Sequence, residues 1–253
     1  MILKEATPRM TDSTAPALDL VGVSLRLDGR MVLDTLTLRA QERRIGIVGR
    51  NGAGKSTLAR LIAGLEEPQE GALSVFGVNV ARDRAKALRT VGILFQNPDH
   101  QIIFPTVDEE INFGLRQMGL SKDEAATRTT AMLEQFGKSH WAGAPVATLS
   151  QGQKQLLCLM AVLAMAPRLI VLDEPLSGLD IPTRLQLTRY LDAAPATLVH
   201  ISHDPVALAG YERVIWLSDG RLREDGPATK VLSAFTREME QLGGRDDISD
   251  LAG

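Results

Sequence analysis

The chain has 253 residues, of which 44% are hydrophobic, enough to bury one substantial core with lobes and better suited to a single globular unit than to two independent domains. Its 28 Lys and Arg against 31 Asp and Glu give a formal charge of -3, which argues against a nucleic-acid partner because phosphate-backbone binding needs a basic surface. The single cysteine, Cys158, excludes an internal disulfide and reads as a small buried thiol in an apolar stretch, in keeping with a cytosolic chain.

The segment Met1 to Pro16 is polar and broken by Pro8 and Pro16, so it is expected to be a flexible lead-in, over 1–17, with no secretory signal. From Leu18 the pattern is of short strands: Leu18 to Leu25, a turn at Asp28-Gly29, Leu36 to Leu38, then Ile45 to Val48. Helical apolar spacing follows over Leu58 to Leu65, and further strands are expected at Val91 to Phe95, Leu169 to Leu172 and Leu198 to Ile201. That alternation with helices implies a parallel sheet. Between these strands, about 98–166 reads as a helical lobe, with Ser121 and Glu124 forming a capping box that opens a helix ending near Gly137. The longest apolar run, Leu156 to Ala166, stops at Pro167, short of the roughly 20 residues that cross a bilayer. Val214 to Leu217, Ser218-Asp219-Gly220 and Arg221-Leu222 read as a hairpin. A last helix carries Leu232, Phe235, Met239 and Leu242 on one stripe, which serves either its own core or a dimer contact, and the tail from Gly243 is acidic and expected to be mobile.

Gly49-Arg50-Asn51-Gly52-Ala53-Gly54-Lys55-Ser56 fits the phosphate-loop pattern and lies between a strand and a helix, where the chemistry requires it. Its glycines let backbone N–H groups curl around phosphates, Lys55 reaches the outer phosphates, and the Ser56 hydroxyl can ligate magnesium. The apolar strand Leu169 to Leu172 ends in Asp173-Glu174, which places Asp173 to hold the magnesium shell and Glu174 to polarise an attacking water. These motifs define a nucleotide hydrolase of the P-loop class.

Leu149-Ser150-Gln151-Gly152-Gln153 resembles the signature motif of ABC ATPases, and nearly the whole chain follows that family's order. Gln96 matches the Q-loop, Ser177-Gly178-Leu179-Asp180 the D-loop, and His203 the switch histidine. The resemblance implies an α/β fold: a P-loop NTPase head, ABC ATPase in type, with a RecA-like parallel-sheet core, an antiparallel β subdomain and an α-helical subdomain. The ATPase domain would run over 18–230, with a C-terminal helix and tail over 231–253. ATP would be held by Gly49 to Ser56, Thr57 and Gln96, and magnesium by Ser56, Gln96 and Asp173. Lys55, Glu174 and His203 would carry catalysis. Ser150, Gln151, Gly152 and Gln153 would act across a dimer, clamping ATP between two heads beside the D-loop Asp180. Two departures stand out: Gln151 replaces the commoner glycine, and Leu27 stands where an adenine-stacking aromatic is usual, offering apolar contact without a π-face.

The stretch Phe95 to Glu110, with Asn97-Pro98-Asp99 and Gln101, resembles ATPases of energy-coupling-factor transporters. Such an importer implies a second ATPase head, an integral-membrane coupling protein and a small substrate-capture membrane protein, with this chain peripheral on the cytoplasmic face. The run Asp108-Glu109-Glu110 also suits a helix start on dipole grounds. Leu149 to Leu156 and Asp180 to Arg184 are most similar to ATPases of biotin transporters, with cobalt or nickel transporters next. A coiled-coil chromosome ATPase is disfavoured by the about ninety residues between phosphate loop and signature. A twin-head translation factor is disfavoured by the single set of motifs, and a non-enzymatic head by the intact Lys55, Asp173, Glu174 and His203.

Overall fold

A computed structural model describes residues 15–243; of the flexible lead-in expected over 1–17, residues 1–14 lie outside the described residues, as does the acidic tail beyond Gly243, whereas Ala17 is buried and the Pro16 carbonyl accepts from the Phe76 N–H at 3.1 Å. Two sheets form the frame. Strands β1 (Leu18–Leu27), β2 (Arg30–Ala40) and β4 (Glu70–Val75) make an antiparallel sheet in the order β2-β1-β4. The second sheet takes β3 (Arg44–Val48), β5 (Val91–Leu94), β6 (Leu169–Asp173), β7 (Thr197–Ile201), β8 (Arg213–Ser218) and β9 (Arg221–Pro227) in the order β5-β6-β7-β3-β8-β9. Among the described residues, every pairing in this second sheet is parallel except β8–β9.

The continuous apolar runs of β6 and β7 follow from burial on both faces, as parallel sheets require. Side chains alternate between two cores: Leu169, Val171, Val199 and Ile201 join one, and Ile170, Leu172 and Leu198 the other. The first core lies between the sheets around helix α1 (Lys55–Ile62), which contributes Leu58, Leu61 and Ile62. The second joins the large sheet to α3 (Val107–Gln117), α4 (Lys122–Gln135), α5 (Gln151–Ala164) and α6 (Ile181–Asp192) through Ile111, Leu115, Leu157 and Leu187. Helix α2 (Arg84–Thr90) leads into β5. Ser121 and Glu124 close both bonds of the capping box at α4.

Helix α7 covers Ala228–Gly243, and three residues of its stripe pack on their own chain: Leu232 and Phe235 are buried, and Met239 is half-buried against the same cluster, while Leu242 is half-buried outside it. Phe235 meets Trp216 of β8 edge to face, centroids 5.4 Å apart. Among the described residues no helix is long and apolar enough to cross a membrane.

Candidate functional site: a phosphate-loop cluster and a separate helix start

At the end of β3 the chain can only continue as glycine, because a Cβ on Gly49 would lie 2.3 Å from the Leu217 carbonyl of neighbouring β8. Gly54 caps α1 with φ +94°, and a Cβ there would lie 2.8 Å from both the Val32 carbonyl and the Leu33 side chain. Between them, Arg50, Asn51 and Gly52 are exposed while Ala53 is buried. The Lys55 ammonium is buried and donates to the Gly49 and Arg50 carbonyls at 2.8 Å each, which closes the loop and leaves one of its three N–H bonds unspent on the loop. Burial pulls the Lys55 amine below its usual range, and the negative charges of Glu174 and Asp173 push back.

Ser56 is exposed at the second position of α1 and donates to Asp173 Oδ1 at 3.1 Å; Thr57 behind it is half-buried. Burial at the end of β6 raises the Asp173 carboxyl above the ordinary range, against the lowering effect of the Ser56 bond. Glu174 then takes φ +50°, a left-handed conformation rare for a residue with a side chain, and its N–H donates to the Ile201 carbonyl of β7 at 3.1 Å. The turn keeps the Glu174 carboxylate largely buried and sets it in hydrogen-bond contact with His203 Nδ1 just beyond β7. Gln96, following β5, donates to the Ser177 hydroxyl at 3.4 Å, which leaves its amide oxygen as an acceptor. Lys55, Ser56, Asp173, Glu174 and His203 thus form one cluster, with Gln96 reaching it through the segment that follows Glu174.

Ser150 to Gln153 form no hydrogen bond to residues 49–57 among the described residues. Ser150 caps α5: its hydroxyl accepts from the Gln153 N–H at 3.3 Å, and the Gln153 side chain accepts from the Ser150 N–H at 2.8 Å. Gln153 therefore has work in its own chain, and Gln151 is exposed. Asp180 caps α6 the same way, accepting from the Thr183 N–H at 2.8 Å.

Sequence reasoning missed the bonds that tie the Gln96 segment to α5. Lys154 pairs with Asp99 at 2.7 Å, and the buried Gln155 donates to the Phe95 carbonyl at 3.0 Å. It also read the acids 108–110 too simply. Buried Glu110 accepts from the Ile103 and Phe104 N–H groups at 2.9 Å each, and Asp108 accepts from the Gly143 N–H at 3.0 Å, so these acids fix loops as well as facing a helix dipole. Leu27, 39% exposed, lies at the tip of β1 before the Asp28-Gly29 turn.

A family model described as ABC transporter matches residues 34–177, spanning β3, the phosphate loop, the helix start at Ser150 and the strand ending in Asp173. The chain belongs to the ABC transporter ATPases. Members of this family bind ATP and hydrolyse it in the service of transport, and the α/β head with its parallel core, antiparallel sheet and helical lobe is their fold. This ABC ATPase is 52% identical to the biotin transport ATP-binding protein BioM of Rhodobacter capsulatus over 226 residues, 89% of this chain and 97% of that one. It is 34% identical to the energy-coupling factor transporter ATP-binding protein EcfA1 of Ligilactobacillus salivarius, covering 94% and 86% of the two chains. The solved structure of cbiO1 from Clostridium perfringens, described as part of the ABC transporter complex cbiONQ, superposes with a TM-score of 0.73 at 27% identity, covering 91% of this chain and 96% of that one.

Proposed function

We propose that this ABC ATPase is the energy-coupling subunit of an importer of the energy-coupling-factor type whose cargo is biotin, and that two such heads clamp ATP between them. The observation that carries the paired arrangement is the division of the site. Groups for the phosphates and for water activation cluster at the ends of β3, β6 and β7, whereas the anion-favouring helix start at Ser150 makes no bond to them within one chain. A second head would bring its own Ser150 to Gln153 turn to the exposed side of the first head's loop.

In this arrangement the N–H groups of 49–57 and Lys55 orient the phosphates. Glu174, fixed by its left-handed turn, accepts a proton from the attacking water, and His203, paired to that carboxylate, steadies the γ-phosphate side. Ser56 and Asp173 supply adjacent oxygen donors of the hard type magnesium prefers. When bound, magnesium would neutralise charge on the outer phosphates, with the Gln96 amide oxygen as the third protein donor.

The cargo assignment rests on the 52% identity to BioM of R. capsulatus, against 27% for cbiO1. Docking on an integral-membrane coupling protein, which would hold a small substrate-capture protein, suits the segment after Gln96, where Ile103 is 69% exposed. The chain would then sit on the cytoplasmic face of the membrane.

Glu174→Gln tests the chemistry: hydrolysis should fall by about 10²–10³-fold while ATP binding persists and paired heads accumulate. Unchanged turnover would overturn the role of Glu174. Mixing a Lys55→Ala chain with a Ser150→Arg chain should restore one working site per pair; no recovery would overturn the cross-dimer site. For the cargo, gentle solubilisation of membranes containing the tagged chain should recover a coupling protein and a biotin-binding partner. A cobalt- or nickel-binding partner would redirect the assignment, and soluble partners alone would overturn the importer.

A further inference from the structure

The start of α5 touches the start of α6 at one tight point. A Cβ built on Gly152 would lie 2.6 Å from Thr183 Cγ2, with Thr183 Oγ1 at 3.4 Å and Cβ at 3.5 Å. The backbone at Gly152 does not have a positive φ, so conformation alone would admit any residue there. What excludes a side chain is the methyl of Thr183, a β-branched residue with restricted rotamers in the first turn of a helix. Thr183 is itself held, since its N–H donates to Asp180 Oδ1. The start of α5 is also tied to the Gln96 segment by the Lys154–Asp99 ion pair and the bond from Gln155 to the Phe95 carbonyl. The turn that carries Ser150 is therefore held by two other segments of its own chain.

We propose that Thr183 is a positioning residue: its methyl, seated on Gly152, joins the Ser150 turn to the Asp180 turn, so that the two move as one body. Glycine at 152 is then required by a contact within the chain, in addition to any approach of the partner's nucleotide. This rests on the reading that Ser150 to Gln153 complete the partner head's ATP site. A shift of the Asp180 turn in one head is passed through Thr183 to the donors that head presents across the dimer, and from there through Lys154 and Gln155 to the segment on either side of Gln96.

Second-site variants of the full chain test the contact. Gly152→Ala should lower kcat for ATP by about tenfold or more with KM within about twofold, because each head's own loop still holds the phosphates. Adding Thr183→Ser, which deletes the clashing methyl, should recover most of kcat, whereas adding Thr183→Val, which keeps a methyl there, should not. A merely stabilising contact would move the thermal midpoint without this split between kcat and KM. Equal behaviour of the Ser and Val double variants overturns the proposal, as does wild-type kcat in Gly152→Ala. If Gly152→Ala does not accumulate as folded protein, recovery of soluble chain by Thr183→Ser and not by Thr183→Val supports the contact, and recovery by neither overturns it. Failure of the cross-dimer reading is seen separately, in the mixture of Lys55→Ala and Ser150→Arg chains, where Gly152 and Thr183 are both intact.

Discussion

Helices α1 and α5 both begin at positions assigned to ATP, yet they begin in opposite ways. Helix α1 starts at Gly54 in a left-handed conformation, with no side-chain cap bond and no acid in its first turn. Helix α5 starts at Ser150 in an extended conformation, with both bonds of a capping box made by Ser150 and Gln153. A helix start that must wrap a polyanion cannot give its N–H donors to its own side chains, and it forgoes the roughly 1 kcal/mol that a cap provides. The phosphate-loop end also holds a buried amine, a carboxyl raised by burial and a left-handed glutamate. The α5 start spends the Ser150 and Gln153 N–H groups on its own box, which presets the turn that presents the Gln151 and Gly152 N–H groups. One region stores cost for ligand binding, and the other is built for position.

The sharpest way to break that contrast is at the two loop glycines. Gly54 and Gly52 both have positive φ, but a Cβ on Gly54 meets the Val32 carbonyl at 2.8 Å while Gly52 has nothing within 4 Å. Gly54→Ala should cost on the order of 3 kcal/mol in denaturant unfolding and abolish hydrolysis, whereas Gly52→Ala should cost about 1 kcal/mol, from strain alone. Equal losses would mean that packing against β2 does not shape the loop.

The second prediction has the opposite sign. A carboxyl raised above its unfolded value penalises the folded state once it ionises, so the penalty is full above the folded pKa and vanishes below the unfolded one. Asp173→Asn should therefore raise the unfolding midpoint at neutral pH while removing hydrolysis. The gain should shrink as pH falls through the raised pKa of Asp173 toward the ordinary carboxylate range. A loss of stability at neutral pH would show that the Ser56 bond and the Lys55 charge outweigh burial.

Local signals explain what could be read in advance. The phosphate loop was legible because strand, glycines, lysine and helix are contiguous, and β6 because a doubly buried strand is apolar throughout. The α4 capping box is likewise a four-residue code. The rest depends on distant partners. Strand β4 was missed because only Leu73 and Val75 are buried in it, and because its Gly71 looks like a breaker. That glycine is needed where a Cβ would lie 2.4 Å from the Val21 and Gly22 carbonyls of β1. Glu110 looked like one acid in a helix-start run, and only the fold brings the Ile103 and Phe104 N–H groups to it. The inward packing of the α7 stripe needed Trp216 in place before it could be told from an outward face. Thr183 carried no local signal at all, since its partner Gly152 lies on another helix.

The smallest expected effect tests whether the α5 start is an ordinary capped helix when it stands alone. Ser150→Ala removes the hydroxyl that accepts from the Gln153 N–H, so unfolding of the single chain should lose about 1 kcal/mol, in the normal range for a cap. Gln153→Ala, which frees the Ser150 N–H, should lose a similar or smaller amount, and the double variant should lose less than the sum because the two bonds form one box. Hydrolysis by paired heads should fall further in Ser150→Ala than in Gln153→Ala, since the Ser150 hydroxyl, which accepts from the Gln153 N–H, keeps its own hydrogen to donate across the dimer, whereas the Gln153 side-chain oxygen is spent on the Ser150 N–H. If the two variants track each other in both stability and turnover, Ser150 acts through its cap alone, and the contrast between the two helix starts reduces to local capping.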